Sequence, residues 1–506
     1  MINDSKNLPP TRSLDPSPEQ IRSWANAAVE LMAEYLGAIR DRRLYPSTSS
    51  RQIRERLDSS LPEEPTTFDE LLHTFRDTLI ELSRHNGHPR MFGYVQAPGT
   101  AIAAIADLLA STLNANLTAW RSAPAAVELE RLTIDWIKQI IGFNRDAAGL
   151  FVSGGSMANM AALAAARRAK APAQIQDKGA QFCTEALRVY ASEETHHSVA
   201  KAAALLGIGR DNVRLISVDE RYKINLDQLV VAIEDDRAAG YLPICVVANA
   251  GTVATGAFDP LAQICEIARR FNLWLHVDGA YGGFAALAPS ARPLFASIAD
   301  ADSLALDPHK WLYLPVDCGC ILYRDPEAAR ATFAHEAEYT RVIGQEADEA
   351  FAFWDYGPEL SRRFRALKVW MLLKGVGLQA LSEAIERDLV CARHFEKLVQ
   401  NSEDFEMLAP VELSIFCFRH LPAQLKGALA TASPSEREKI EELLDAHNER
   451  LLLALQRDGN SYLSNARLCG RFSLRGCVMN YRTTLRDVEI LLDDLRRVGV
   501  QLEASG

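Results

Sequence analysis

The stretch 272–283, NLWLHVDGAYGG, decides the fold. A short, largely apolar run ends on Asp278, and a Gly/Ala/Tyr/Gly/Gly turn follows at once. That is the form of a buried strand closing into a loop. An aspartate there commonly caps the next turn. If it is buried and stays ionised, it needs a cationic partner. The next run of this kind, LALDPHKWLYLP at 304–315, leads into Lys310 between His309 and Trp311. A lone lysine is usually solvated surface charge. A lysine in apolar sequence at a strand end can serve as an imine-forming amine.

Working outward, β-rich runs recur between helical patterns: ALRVYAS, NVRLISV, PICVVANA, DSLALD and GCILYR. The intervening DPLAQICEIARRFN and the Ala-rich helices complete a β-α alternation. It predicts an α/β fold with a mainly parallel sheet covered on both faces, and a ligand at the carboxyl ends of its strands. Residues 1–85 read as a helical segment. In PSPEQIRSWANAAVELMAEYLGAIR, Ser17 is the expected N-cap and Pro18 the first helical residue, and Thr67 opens a second helix. Residues 86–375 form the large α/β domain on this reading. Residues 376–506, where helices mix with LSIFCFRHL and FSLRGCVMNY, form a smaller α+β domain.

Composition narrows the function. Lys and Arg total 55 against 66 Asp and Glu, a net charge of −11, which argues against a nucleic-acid or anionic-membrane partner. No apolar run reaches membrane-spanning length, and the start, MINDSKNLPP, lacks the form of a signal peptide. The nine cysteines make no disulfide or zinc pattern, and Cys318 and Cys320 form a lone CxC. Buried thiols in a reducing cytoplasm are expected, and no metal.

Two further motifs extend the Asp–Lys pair. GLFVSGGSMANMAALAAARRAK, at 149–170, is a strand, a Gly-rich turn and an Ala-rich helix. Gly154 and Gly155 allow close backbone approach, Ser156 offers a hydroxyl, and the helix N-terminus offers N–H groups to a phosphate. No Gly-Lys-Ser/Thr follows, so this is not a Walker loop. In RVYASEETHHSVAKAA, His196 and His197 close a strand and open a helix, and one of them can stack on a cofactor ring. Asp278 and Lys310 closing successive strands is the pairing expected of pyridoxal phosphate enzymes: the lysine forms the Schiff base and the aspartate keeps the pyridine nitrogen protonated.

These segments, in this order, resemble the group II pyridoxal-phosphate decarboxylases, the family of aromatic-L-amino-acid, histidine and glutamate decarboxylases. The resemblance runs from LYP near residue 44 to FSLRGCVMNYRTT near the end. It implies the fold-type-I aminotransferase-like architecture and a homodimer with the N-terminal helices packed across it. It implies Lys310 as the Schiff-base lysine, Asp278 as partner of the ring nitrogen, and Ala280 beneath the ring. It implies Gly155 and Ser156 at the phosphate of pyridoxal 5′-phosphate with His309 beside it, His196 as the stacking histidine, and Thr252 near the cofactor. HPRMFGYVQAPG matches the substrate side, placing Phe92 and Tyr94 near the pocket, and Trp120 lies in another pocket-forming segment. Tyr339, 29 residues beyond Lys310, falls where the family's mobile loop carries a catalytic tyrosine.

The resemblance thus implies decarboxylation of a small-molecule L-amino acid, with an aromatic substrate favoured. Asp278 maintains the electron sink, and Tyr339, aided by His196, protonates Cα. Arg121 beside Trp120 points the other way, since it could pair a side-chain carboxylate. Val253 and Ala254 stand where many relatives have threonines, and Ala97 where animal aromatic decarboxylases have a threonine. Asp307 stands where animal aromatic decarboxylases have asparagine; beside a phosphate it is unfavourable, so it is expected to point elsewhere. The rivals are an aldehyde synthase, a carbon–carbon lyase or aminotransferase with the same cofactor, and a non-catalytic scaffold. Retention of Lys310, Asp278 and Tyr339 counts against the last.

Overall fold

The structure, a computed structural model, describes residues 14–57, 60–335 and 350–505. Seven strands form the large sheet: β1 (Ala148–Val152), β2 (Leu187–Ser192), β3 (Val213–Ile216), β4 (Leu242–Asn249), β5 (Trp274–Gly279), β6 (Ser303–Leu306) and β7 (Gly319–Tyr323). Their order is β1-β7-β6-β5-β4-β2-β3. Strands β3, β2, β4, β5 and β6 pair in parallel, and β7 runs antiparallel to both β6 and β1. Only β7 is reversed, so the other six strands end at the same edge. Strands β2, β4, β5, β6 and β7 are buried almost throughout, as expected for a sheet covered on both faces.

The helix Gly155–Lys170 crosses β4, β5, β6 and β7. Its buried face is almost all alanine (Ala158, Ala161, Ala162, Ala165), which lets the helix lie close to the sheet. Its N-terminus opens at the carboxyl edge of the strands.

The smaller sheet is antiparallel, with β8 (Phe405–Met407), β9 (Ile415–His420), β10 (Ser464–Leu468) and β11 (Arg471–Cys477) in the order β10-β11-β9-β8. The helices Leu378–Gln400, Pro434–Asp458 and Leu485–Ser505 pack with it. Its core centres on Phe395, Phe416 and Phe418, with Phe395 stacked on Phe416 at 4.2 Å between ring centroids. At the N-terminus, the helix Pro18–Gly37 begins with a capping box between Ser17 and Gln20. Thr67 caps Phe68–Thr74 in the same way, and the chain continues as a π-helix over Phe75–Ile80. The Pro18–Gly37 helix buries no residue of its own. Among the described residues, no helix is long and apolar enough to cross a membrane.

One buried ion pair anchors β1. Arg362 and Glu130 are in contact and neither side chain is exposed. Arg362 donates to the Phe151 carbonyl at 2.8 Å, and Glu130 accepts from the Phe151 amide at 3.0 Å. The guanidinium also lies over the Phe353 ring, 4.2 Å from its centroid. Removing one partner leaves the other charge buried and unpaired, which costs about 3–5 kcal/mol. Glu130→Leu is therefore expected to lose about that much in urea unfolding. Glu130→Leu with Arg362→Met should recover most of it. A double variant no more stable than the single one would show that the pairing itself, rather than the stranded charge, sets the loss.

Candidate active site

The loops that leave the carboxyl edge enclose a cavity of about 790 Å³. Of the residues picked out from sequence, Gly155, Ser156, His196, Asp278, Ala280, His309, Lys310 and Tyr94 line it together.

The first wall is the turn after β1. A β-carbon at Gly155 would sit 2.8 Å from that of Ala280 and 3.0 Å from Asp307 Oδ2, so only glycine fits there. A β-carbon at Gly319, paired with Val152, would reach the backbone of Gly154 at 2.4 Å. These contacts hold the turn against its neighbours and leave the first N–H groups of a 16-residue helix facing the cavity.

Asp278 is the penultimate residue of β5 and is buried. Its Oδ2 accepts from Asn159 Nδ2 at 2.7 Å and its Oδ1 from the Ala280 amide at 3.1 Å. Asn159 Oδ1 lies 2.9 Å from His276 Nε2, and His276 Nδ1 lies 2.9 Å from Ser303 Oγ. Burial pushes the His276 imidazole down to about 4, with Asp278 opposing, so the ring is neutral. Ser198 Oγ lies 2.8 Å from His196 Nδ1. Burial also holds His196 below the usual imidazole value, with Asp278 pulling it up and His197 and Lys310 pushing it down. The exposed His197 ring lies 4.1 Å from that of His196.

Lys310 follows β6 in the short helix Pro308–Trp311, and its Nζ lies 2.8 Å from Asp307 Oδ2. Asp307 does not turn away, as its charge led one to expect. It is buried and faces the glycine turn, and its Oδ1 has no hydrogen-bond partner. The proximity of Lys310 offsets the charge that made this orientation unfavourable. Beyond the lysine, Trp311 Nε1 and the Tyr313 hydroxyl both donate to Asp388 Oδ2, at 2.9 and 2.7 Å. Burial raises the Asp388 carboxyl to about 6, against the pull of those donors. Trp311 also stacks on Tyr281, with centroids 5.2 Å apart and planes 9° apart, which ties the lysine segment to the Asp278 turn.

Other expected residues lie elsewhere. Phe92 does not border the cavity. It is buried in the small-sheet core, 6.3 Å from Phe416, because its backbone pairs with Tyr462 and Cys477 and carries it there. Trp120 packs against the large core and its amide donates to the Phe351 carbonyl; Arg121 is exposed, and neither borders the cavity. Thr252 is buried beneath the 251–257 turn, its hydroxyl 3.0 Å from that of Thr255, while Gly251, Val253 and Ala254 face the cavity. Tyr339 lies outside the described residues.

Sequence reading missed Asn159, Ser198, His276 and Arg475. The signals were a single amide on an otherwise alanine face, and a histidine two residues before Asp278, hence on the same strand face. Arg475, from β11, spans the substrate side. Its Nε donates to the Val253 and Ala254 carbonyls at 3.0 and 3.1 Å. Its Nη1 donates to the Tyr94 carbonyl at 3.3 Å and to Ser464 Oγ at 3.1 Å.

Comparison with known proteins gives this geometry its context. Residues 50–421 match the family described as "Pyridoxal-dependent decarboxylase conserved domain". The chain is 33% identical to the aromatic-L-amino-acid decarboxylase of Bacillus atrophaeus over 98% of each chain. It is 29% identical to a phenylacetaldehyde synthase of Petunia hybrida, over 91% of this chain and 90% of that one. The crystal structure of Oryza sativa TDC with PLP and tryptamine superposes with a TM-score of 0.88 at 28% identity, covering 97% of this chain and all of that one. Mouse CSAD superposes equally well, TM-score 0.88 at 26% identity, over 95% and 99% of the two chains. The chain belongs to the pyridoxal-dependent decarboxylase family and is a pyridoxal-phosphate-dependent amino acid decarboxylase.

Proposed function

We propose that the enzyme converts an aromatic L-amino acid to its amine and CO2. The observation that carries this reading is the state of the cations around the cavity. Arg475 is committed to carbonyls, Arg467 lies 2.9 Å from Asp445, and Lys310 lies beside Asp307. Among the described lining residues, no cation is left to pair a side-chain carboxylate. The substrate side offers instead Tyr94, Val253, Ala254 and Val316. The names of the bacterial and rice relatives support the same substrate class.

The residues present fit pyridoxal 5′-phosphate. The turn at Gly154 and Gly155 leaves room that a β-carbon would fill, with Ser156 and the helix N-terminus beside it for the phosphate. Across the cavity, Asp278 is held by Asn159 and the Ala280 amide with its carboxylate available to a ring nitrogen. Ala280 and His196 are the surfaces for the two ring faces, and His309 stands near the phosphate end. Bound there, the cofactor supplies a protonated ring that accepts the electron pair released when the Cα–carboxylate bond breaks.

The chain's own residues do the rest. Lys310 would provide the amine that holds the cofactor. Asp278 keeps the ring nitrogen charged. Tyr339 returns a proton to Cα, with His196 assisting. Borohydride reduction of the holoenzyme is expected to fix the cofactor on Lys310, and Lys310→Ala should take up no label while remaining folded. A label on another lysine would refute the assignment.

Tyr339 also separates decarboxylase from aldehyde synthase, the activity named for the petunia relative. Over a panel of L-amino acids, the wild type is expected to release CO2 and amine in equal amounts, from aromatic substrates at least tenfold faster than from glutamate. Tyr339→Phe removes the donor but keeps the ring. In air it should form less amine, and aldehyde, ammonia and peroxide should appear as oxygen and water are consumed. Unchanged amine yield from Tyr339→Phe would transfer the donor role to His196 or water.

A homodimer completes the reading. Ile21, Trp24 and Val29 on the first helix, Leu71 on the helix Phe68–Thr74, Phe75 on the π-helix that follows it, and Leu108 and Leu113 on the helix Ala101–Leu113 are all exposed. A second copy would cover these apolar faces. Sedimentation is expected at twice the 55.9 kDa chain mass, and an active monomer would exclude the dimer. The nine cysteines are all free, which supports a reducing, cytoplasmic setting. Residues 1–85, 86–375 and 376–506 serve, on this reading, as dimer-packing segment, cofactor domain and small domain.

A further inference from the structure

The hydrogen bonds behind Asp278 have their proton positions fixed from both ends. A carboxylate only accepts, so Asn159 turns its NH2 toward Asp278 Oδ2, at 2.7 Å, and its carbonyl oxygen toward His276 Nε2, at 2.9 Å. An amide oxygen also only accepts, so His276 carries its hydrogen on Nε2. Its Nδ1, in the neutral ring, is left to accept from the Ser303 hydroxyl at 2.9 Å. Ser303 in turn accepts from Trp274 Nε1 at 2.8 Å, and an indole nitrogen can only donate. Every link is consistent with the others.

The second hydrogen of the Asn159 NH2 points to Ser198 Oγ at 2.9 Å. Ser198 thus accepts from Asn159 and has its own hydrogen free. Its oxygen lies 2.8 Å from His196 Nδ1, and the Ser198 amide approaches the same nitrogen at 3.3 Å. Two donors converge on Nδ1, so Nδ1 is the acceptor. We propose that Asn159, acting through Ser198, fixes His196 as the Nε2–H tautomer, so that the ring offers the cavity an N–H and not a lone pair.

Asn159 and Ser198 are then positioning residues, and Asn159 serves both functional side chains at once. The consequence for the reaction rests on the decarboxylase reading: His196 can give a hydrogen bond or a proton to a group in the cavity, and it enters the cycle as a donor. The tautomer itself rests on the hydrogen-bond geometry alone.

The test is the 15N spectrum of histidine-labelled holoenzyme without substrate, with the His196 signals assigned by their loss in His196→Asn. In the wild type, Nδ1 should resonate as an unprotonated ring nitrogen, and the one-bond N–H coupling should appear at Nε2 only. Ser198→Ala and Asn159→Leu should each shift both nitrogens toward intermediate positions as the tautomers interchange, and Ser198→Thr should restore the wild-type pattern. A wild-type proton on Nδ1 would overturn the inference, as would an unchanged spectrum in Ser198→Ala. An unchanged spectrum in Asn159→Leu would remove Asn159 from the relay. If that variant fails to fold, the wild type and Ser198→Ala decide. The readout involves no turnover, so a protein inactive on every amino acid but with the stated tautomer would sink the proposed function and leave this inference standing.

Discussion

A single contact, Asn159 to Asp278, fixes the relation between the two ends of the site. Asp278 is the penultimate residue of the central strand β5, and Asn159 lies four residues into the helix whose first residue, Gly155, opens the phosphate side. At 1.5 Å per residue the helix rises about 6 Å between them. The same rigid element that presents backbone N–H groups at its tip therefore clamps the carboxylate one turn further in. A buried carboxylate without such donors would favour its neutral form, and the charge the reaction needs would be lost. The alanine face of that helix follows from the same demand. Only small side chains let an asparagine reach the sheet from a helix lying across it.

The remaining walls are held by close approach rather than by many polar contacts. Glycines at 155 and 319, the first against Ala280 and the second against the Gly154 backbone, bring three loops together at distances that a further methyl would violate. Aromatic packing then secures them from behind. Trp311 on Tyr281, with both Trp311 and Tyr313 donating to Asp388, joins the lysine segment, the Asp278 turn and the helix Leu378–Gln400. Lys310 itself stays loosely committed. Asp307 is its ion-pair partner, and a side chain that must leave one partner for another is better held by one charge than by a buried network.

How much of this was legible in the sequence depends on how local the signal was. The strands of the large sheet were readable because burial on both faces writes them as short apolar runs, and the polar residues that close those runs mark the carboxyl edge. Lys310, Asp278 and the pair His196 and His197 were picked out that way, Gly155 by its Gly-rich turn before a helix, and Ala280 only by the family resemblance. Strand β10, SNARL, was missed because its pattern is not apolar. Phe92 and Tyr94 were read alike, and two residues apart in an extended strand they would share a face; the positive φ of 63° at Tyr94 breaks that relation, so Phe92, paired with Tyr462 and Cys477, enters the small core while Tyr94 lines the cavity. Asp307 was expected to turn away because a carboxylate beside a phosphate is unfavourable, a reading that did not weigh Lys310, three residues on, as its ion-pair partner. His276 and Asn159 are 117 positions apart, and no local pattern joins them.

Substrate preference is harder to read for a further physical reason. The wall facing the substrate is assembled from three distant segments: Tyr94, the 251–257 turn and the β10–β11 hairpin. Arg475 holds all three, through the Tyr94, Val253 and Ala254 carbonyls and Ser464. Its charge is satisfied by backbone oxygens, and the side chains that remain exposed to the cavity there are mostly apolar or aromatic. An arginine in a pocket usually signals an anionic ligand. Here the direction of its hydrogen bonds reverses that signal. The cation acts as a structural bracket, and what it selects is set by the surfaces it brings together rather than by its own charge.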